Sequence, residues 1–193
     1  MARIVIIQGH PDADPGRFCR ALAKAYGNGA GAKGHEVHVI DIATLDFPVL
    51  RSRQTWESDT PPPPGIDAAQ AAIQAAEHLV FIFPLWLGTL PALLKAFCEQ
   101  VFRPGFAFAA KGSALRARLG GRSSHTIVTM GMPAWVYRLW FGGHGLRSFQ
   151  QGILRFVGIR PNRLTLIGSI EATTEAQRAR WLARVKTLGE RAR

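Results

Sequence analysis

Short apolar runs alternate with amphipathic stretches along the whole chain. RIVIIQ (3–8) and HLVFIF (78–83) are apolar at nearly every position, and EVHVID (36–41) alternates. SHTIVTM (124–130) and RLTLIGS (163–169) complete five strand-like segments. Between them, CRALAKAY (19–26), IDAAQAAIQAAE (66–77) and PALLKAFCEQVF (91–102) carry helical patterns. The last stretch, EAQRARWLARVKTLGERAR, brings Ala176, Leu182, Val185 and Leu188 to one apolar helix face. Strands separated by helices predict an α/β domain whose parallel sheet is covered on both faces.

The run from Leu79 to Leu94 has no charge, yet a membrane-spanning helix needs about 20 apolar residues. Pro84, Gly88 and Pro91 interrupt this run, so it reads as a buried strand, a turn and a helix rather than part of an integral membrane protein. TPPPPGI (60–66) is the one low-complexity patch. It places a long connection over about 51–65, read as a loop insertion that either shapes a substrate entrance or reaches across a dimer.

Composition supports this picture. The 193 residues suit a single domain over 1–193, and 47% hydrophobic with 19% charged residues is the balance of a globular chain. The N-terminal apolar run is four residues long and lacks the form of a signal peptide. Cys19 and Cys98 fall inside helices with no ligand spacing, so reduced buried thiols and a cytoplasmic location are expected, with no metal site. The net charge of +11 comes mostly from scattered arginines. A solvated surface that attracts anionic cofactors explains it better than a nucleic-acid patch.

In open parallel sheets ligands sit beyond the carboxyl ends of the strands. Three loops fall there: GHPDADPGRF (9–18), PLWLG (84–88) and TMGMP (129–133). The first leads into a helix N-terminus, where free N–H groups and the helix dipole favour a phosphate, with His10, Gly16 and Arg17 adding donors. The second offers Trp86 as a flat wall and Gly88 as a place of close approach. The third brings amides around Gly131. Alone, His10 would be a turn histidine and Trp86 a core residue; three convergent loops favour a site. GAGAKG (29–34) matches a dinucleotide fingerprint, but a helix precedes it and a strand follows, so its glycines read as a helix stop and connection. His35 and His38 stand on opposite strand faces and make a poor metal site.

The segments GHP…FCRALAKAY, FPLWLGTLPALLKAFCEQVFRPGFAF and YRLWFGGHG…GILRFVGI resemble the NAD(P)H:quinone oxidoreductase family of flavodoxin-like flavoproteins, from residue 3 to about 170. The resemblance implies a flavodoxin-like three-layer sandwich with a five-stranded parallel sheet of order 2-1-3-4-5. It further implies a bound flavin, FMN or alternatively FAD, and NADPH or NADH as reductant. The implied assembly is a homodimer with its active site at the subunit interface, and the implied reaction is two-electron reduction of a quinone-like acceptor. Position by position, His10, Asp14, Gly16, Arg17 and Phe18 fall on the first flavin loop, and Pro84, Leu85, Trp86 and Leu87 on the segment against the flavin ring. Thr129, Met130, Gly131 and Met132 fall on a Thr-Thr-Gly-Gly pattern from which both methionines depart. Tyr137 and His144 resemble the family's active-site pair; the blander reading makes them interface packing and a surface loop residue. Trp135, Trp140 and Phe141 are expected as an aromatic lid or as dimer contacts. Two alternatives stay open: a regulatory flavoprotein subunit of a membrane transporter, and a flavodoxin-type electron carrier.

Overall fold

The computed structural model describes residues 1–58, 60–109 and 116–192. Five parallel strands, β1 (Arg3–Gln8), β2 (Glu36–Asp41), β3 (His78–Pro84), β4 (Ser123–Thr129) and β5 (Asn162–Ile167), form one sheet of order β2-β1-β3-β4-β5. The flavodoxin-like order expected from the resemblance is therefore present. Helix α1 (Phe18–Ala32) follows β1, α2 (Arg53–Trp56) and α3 (Pro64–Ala75) follow β2, and α4 (Ala92–Val101) follows β3. After β4 come α5 (Ala134–Leu139), α6 (His144–Arg147) and a π-helical segment, Ser148–Arg155; α7 (Glu175–Glu190) follows β5.

Successive strand residues point to opposite faces, and here both faces are dry. Ile4, Ile6, Val80, Ile82 and Ile127 pack with Leu22, Tyr26 and Val185 from α1 and α7. Val5, Ile7, Phe81 and Phe83 pack on the other face with Ile66, Ile73, Phe97 and Phe149. Phe149 stands edge-on to both Phe81 and Phe83, with ring centroids 5.2 and 5.7 Å away. Both cysteines are free, buried thiols, as their helical positions suggested. No helix among the described residues is long and apolar enough to cross a membrane.

Several elements differ from the sequence expectation. Gly29 and Gly31 lie inside α1, which runs to Ala32, while Gly34, at φ 76°, takes the left-handed position just past its end and is the expected helix stop. A Cβ on Gly29 would lie 2.0 Å from the Lys186 carbonyl oxygen, and one on Gly189 would lie 2.1 Å from that of Tyr26. The glycines are there because α1 and α7 touch backbone to backbone. Ala176 is exposed, so the inward face of α7 is Trp181, Leu182, Val185, Leu188 and Gly189. Within 51–65 the chain forms the short helix α2, capped by Ser52, and α3 starts with Pro64 in its first turn, where a missing N–H costs nothing. Asp59 of that connection and Arg193 of the last helical stretch lie outside the described residues.

At the amino-terminal end of the sheet, His78 is buried against Tyr26, and its Nδ1 shares a 2.7 Å hydrogen bond with Ser123 Oγ. Burial, with His125, Arg163 and His35 nearby, lowers its pKa from 6.5 to about 4. The unfolded chain therefore binds more protons between those values. The stabilisation from a neutral His78 is complete above about pH 6.5 and is lost as pH falls toward 4, a swing of about 3 kcal/mol. Denaturant unfolding between pH 7 and pH 4.5 is expected to show this loss, with a flatter pH dependence in His78→Gln. A second expectation concerns the helix pair: Gly29→Ala destabilises by about 2–4 kcal/mol, lowering Tm by about 5–15 °C in a thermal melt.

Candidate functional site

The loops after β1, β3 and β4 meet at the carboxyl edge of the sheet. The Gly9 N–H donates to the Ile82 carbonyl at 2.8 Å, joining the first loop to β3. A Cβ at Gly9 would come within 2.8 Å of Leu94 Cδ2, so a larger residue there would have to displace that side chain. The Leu85 N–H donates to the Thr129 carbonyl at 2.7 Å and joins the second loop to the third. His10 and Trp86 meet edge to face, 6.1 Å between ring centroids. Cys19 Sγ and Thr129 Oγ1 share a 3.3 Å hydrogen bond that ties the start of α1 to the end of β4. Burial pushes the Cys19 thiol up to about 11, so it stays protonated.

The first loop is a chain of side-chain turns. The Asp12 N–H donates to His10 Nδ1 at 3.0 Å, which leaves the neutral ring's proton on Nε2. Desolvation, helped by the Arg17 charge, holds His10 below its ordinary pKa. The Asp14 N–H donates to Asp12 Oδ1 and the Gly16 N–H to Asp14 Oδ1, each at 2.9 Å. Arg17 pairs with Asp12 at 2.6 Å and with Asp14 at 3.5 Å. The hydrogen bond from Asp14, then the pair with Arg17, holds the Asp12 carboxyl below the usual range. Arg17 is also the N-cap of α1, and no side chain caps that end. Asp12 organises this loop, and sequence reasoning missed it; its Asp-x-Asp spacing, which suits successive Asx turns, was the available signal.

The second loop turns sharply. Trp86 and Thr89 exchange N–H···O bonds of 3.0 Å across Leu87 and Gly88, whose φ values are 47° and 78°. That conformation suits glycine at the second position and is strained for a leucine at the first. Leu87 is fully exposed and Trp86 half exposed. The third loop is braced from behind: the Ser169 N–H donates to the Met132 carbonyl and the Ile170 N–H to that of Met130. Glu171 stands against Gly131, where a Cβ would lie 3.3 Å from its carboxylate. This support from beyond β5 had no signal in the sequence.

The stretch expected as an aromatic loop contains α5. Tyr137 is buried there; its hydroxyl donates to the Gly88 carbonyl at 2.9 Å and accepts from the Leu146 N–H at 3.2 Å. Burial raises its pKa. The Gly145 backbone packs on Gly88, where a Cβ would meet the carbonyl oxygen at 2.1 Å. His144 is exposed and folds over Gly142, whose added Cβ would lie 2.4 Å from Nε2. Trp135, Trp140 and Phe141 are exposed. The structure thus brings Tyr137 into contact with the second loop, while the three aromatics form no closed lid within one chain. A separate cleft of about 520 Å³ opens beside α4, with Trp56, Phe108 and Phe156 among its walls. Those rings meet in series, tilted and then edge-on, with centroids 5.6 Å apart at each step.

A family model described as flavodoxin-like fold matches residues 2–188. The chain belongs to this family. Its relatives include NAD(P)H dehydrogenase [quinone] 1 of Rattus norvegicus, 27% identical over 97% of this chain and 78% of that protein. Ribosyldihydronicotinamide dehydrogenase [quinone] of Pongo abelii is 30% identical over 62% of this chain and 55% of the relative. Among solved structures, the NAD(P)H:quinone oxidoreductase of Methanothermobacter marburgensis superposes with a TM-score of 0.80 at 22% identity, covering 98% of this chain and 96% of the other. An FMN-dependent NADH-azoreductase of Bacillus anthracis, solved in complex with FMN, gives 0.77 at 13% identity, covering 99% of each chain. The structural likenesses establish the fold, and the sequence relatives bear out the resemblance to the quinone oxidoreductases.

Replacing Tyr137 with phenylalanine deletes the link between Gly88 and Leu146 and leaves two polar groups without their partner. A loss of about 1–3 kcal/mol is expected, read as a lower midpoint in denaturant unfolding.

Proposed function

We propose that the chain is a flavin-dependent NAD(P)H oxidoreductase that reduces quinone-like acceptors by two electrons, with FMN as its cofactor. The observation that carries this reading is the meeting of three strand-end loops around an uncapped helix N-terminus, a half-exposed indole and a strained, outward-facing turn. The donor set fits such a group. The first turn of α1 offers N–H groups without a side-chain cap, and Arg17 stands beside them, which suits the phosphate of FMN. Trp86, Leu87 and the main chain from Thr129 to Met132 supply a flat apolar wall with amides at its edge. A flavin bound there supplies the relay for two-electron transfer from NAD(P)H to the acceptor.

The remaining roles belong to the chain. His10 is held neutral with Nε2–H as a free-standing donor, because Asp12 occupies its other nitrogen. Tyr137 is a positioning residue: its hydroxyl is committed to Gly88 and Leu146, so it holds the turn rather than supplying a proton. His144 is the exposed titratable group beside that turn and takes the proton-donating role toward an acceptor oxygen. One site visited in turn by reductant and acceptor predicts ping-pong kinetics. A homodimer accounts for the exposed Leu139, Trp140 and Phe141.

The purified protein, supplied with FMN, is expected to show a flavin absorption spectrum that bleaches on anaerobic NADPH or NADH and returns on adding a quinone. Bound flavin that resists both reductants would overturn the enzyme reading. Arg17→Glu is expected to weaken FMN by about tenfold or more while leaving riboflavin, which lacks the phosphate, unchanged; equal losses for both would place the phosphate elsewhere.

A further inference from the structure

Strand β5 pairs only with β4 and is an edge of the sheet. The Ser124 N–H donates to the Pro161 carbonyl and the Met130 N–H to that of Ile167. In a parallel ladder alternate residues turn their main-chain groups to the same side, so odd-numbered residues from 161 to 167 face β4. The N–H and C=O groups of Leu164 and Leu166 therefore point outward. Both ends of this edge are closed. Asn162 Nδ2 donates to the Gln150 carbonyl at 3.2 Å. At the other end the Ser169 N–H reaches the Met132 carbonyl, and Gly168 packs against the Ala134 backbone.

The middle lies open on the floor of a groove of about 320 Å³. Trp135 and Arg138 from α5 form one wall, and Trp181 and Arg184 from α7 form the other. The Arg184 guanidinium lies 5.1 Å over the Trp181 ring. No acidic residue lines the groove, and neither arginine has a salt bridge among the described residues. No residue of the three strand-end loops lines it.

We propose that the open edge of β5 docks an extended, acidic segment of a partner protein, which adds a short strand against Leu164 and Leu166 and pairs its carboxylates with Arg138 and Arg184. The alternating outward donors and acceptors match a peptide main chain. The charge selects its side chains: the groove is cationic within a chain of net charge +11. A second copy is disfavoured by the same charge, since edge-to-edge pairing would bring Arg138 and Arg184 of two chains together. The two indoles give apolar or aromatic side chains of the segment a surface to cover.

The test is fluorescence anisotropy with a labelled short peptide of alternating glutamate and valine, titrated with the full-length protein. Saturable binding is expected. Either of two changes should weaken it by about tenfold or more: the double substitution Arg138→Glu/Arg184→Glu, or methylation of alternate peptide amides on the pairing edge. Unchanged α-helical circular dichroism and thermal melting of the variant show that it is folded. Absence of saturable binding at about 1 mM protein overturns the proposal. Equal affinity for the methylated peptide also overturns it, by showing charge attraction without strand addition. So does a dimer in sedimentation that dissociates on the double substitution, because the edge would then belong to a second copy.

Discussion

The architecture depends on β3 being dry on both faces. From His78 to Phe83 every residue is buried, and the strand bonds to β1 on one side and β4 on the other. A strand with no wet face can serve only as the centre of a sheet with helices above and below. Its register then sets where the neighbouring strands end. The end of β3 at Pro84 falls level with the end of β4 at Thr129, and the end of β1 lies alongside Ile82. Three loops leave the sheet at nearly the same height because one buried strand aligns them.

That alignment explains which parts were legible in the amino-acid sequence. Strands buried on both faces write an uninterrupted apolar run, so β1 and β3 can be located to within a residue. The helices of the amphipathic type follow for the same reason. The 134–155 region was opaque because its aromatics give no amphipathic period. Tyr137 is buried there while Trp135, Leu139 and Trp140 on the same short stretch are exposed. Gly29 and Gly31 misled for a different reason. Glycine within a helix usually argues for an end, and only the partner helix reveals that a missing side chain is what the contact needs.

The candidate site was legible in its loop positions and less so in its chemistry. His10, Trp86 and Gly131 occupy the convergent edge that the topology rule anticipates. The partners that decide their behaviour are distant in sequence or too ordinary to notice: Asp12 fixes the His10 tautomer, Glu171 stands against Gly131, and Gly88 takes the Tyr137 hydroxyl. A residue type announces what it can donate or accept. Only the fold shows which of those capacities are already taken.

The bare contact between α1 and α7 reaches further than stability. Helix α1 carries its amino-terminal end to the first loop, and its outer flank rests on backbone contributed by Lys186 and Gly189. The loop after β1 is thus held in place by a helix that follows β5. During synthesis, α1 gains this resting surface only after α7 has emerged, so the final placement of the first loop waits for a segment that lies beyond every strand of the sheet.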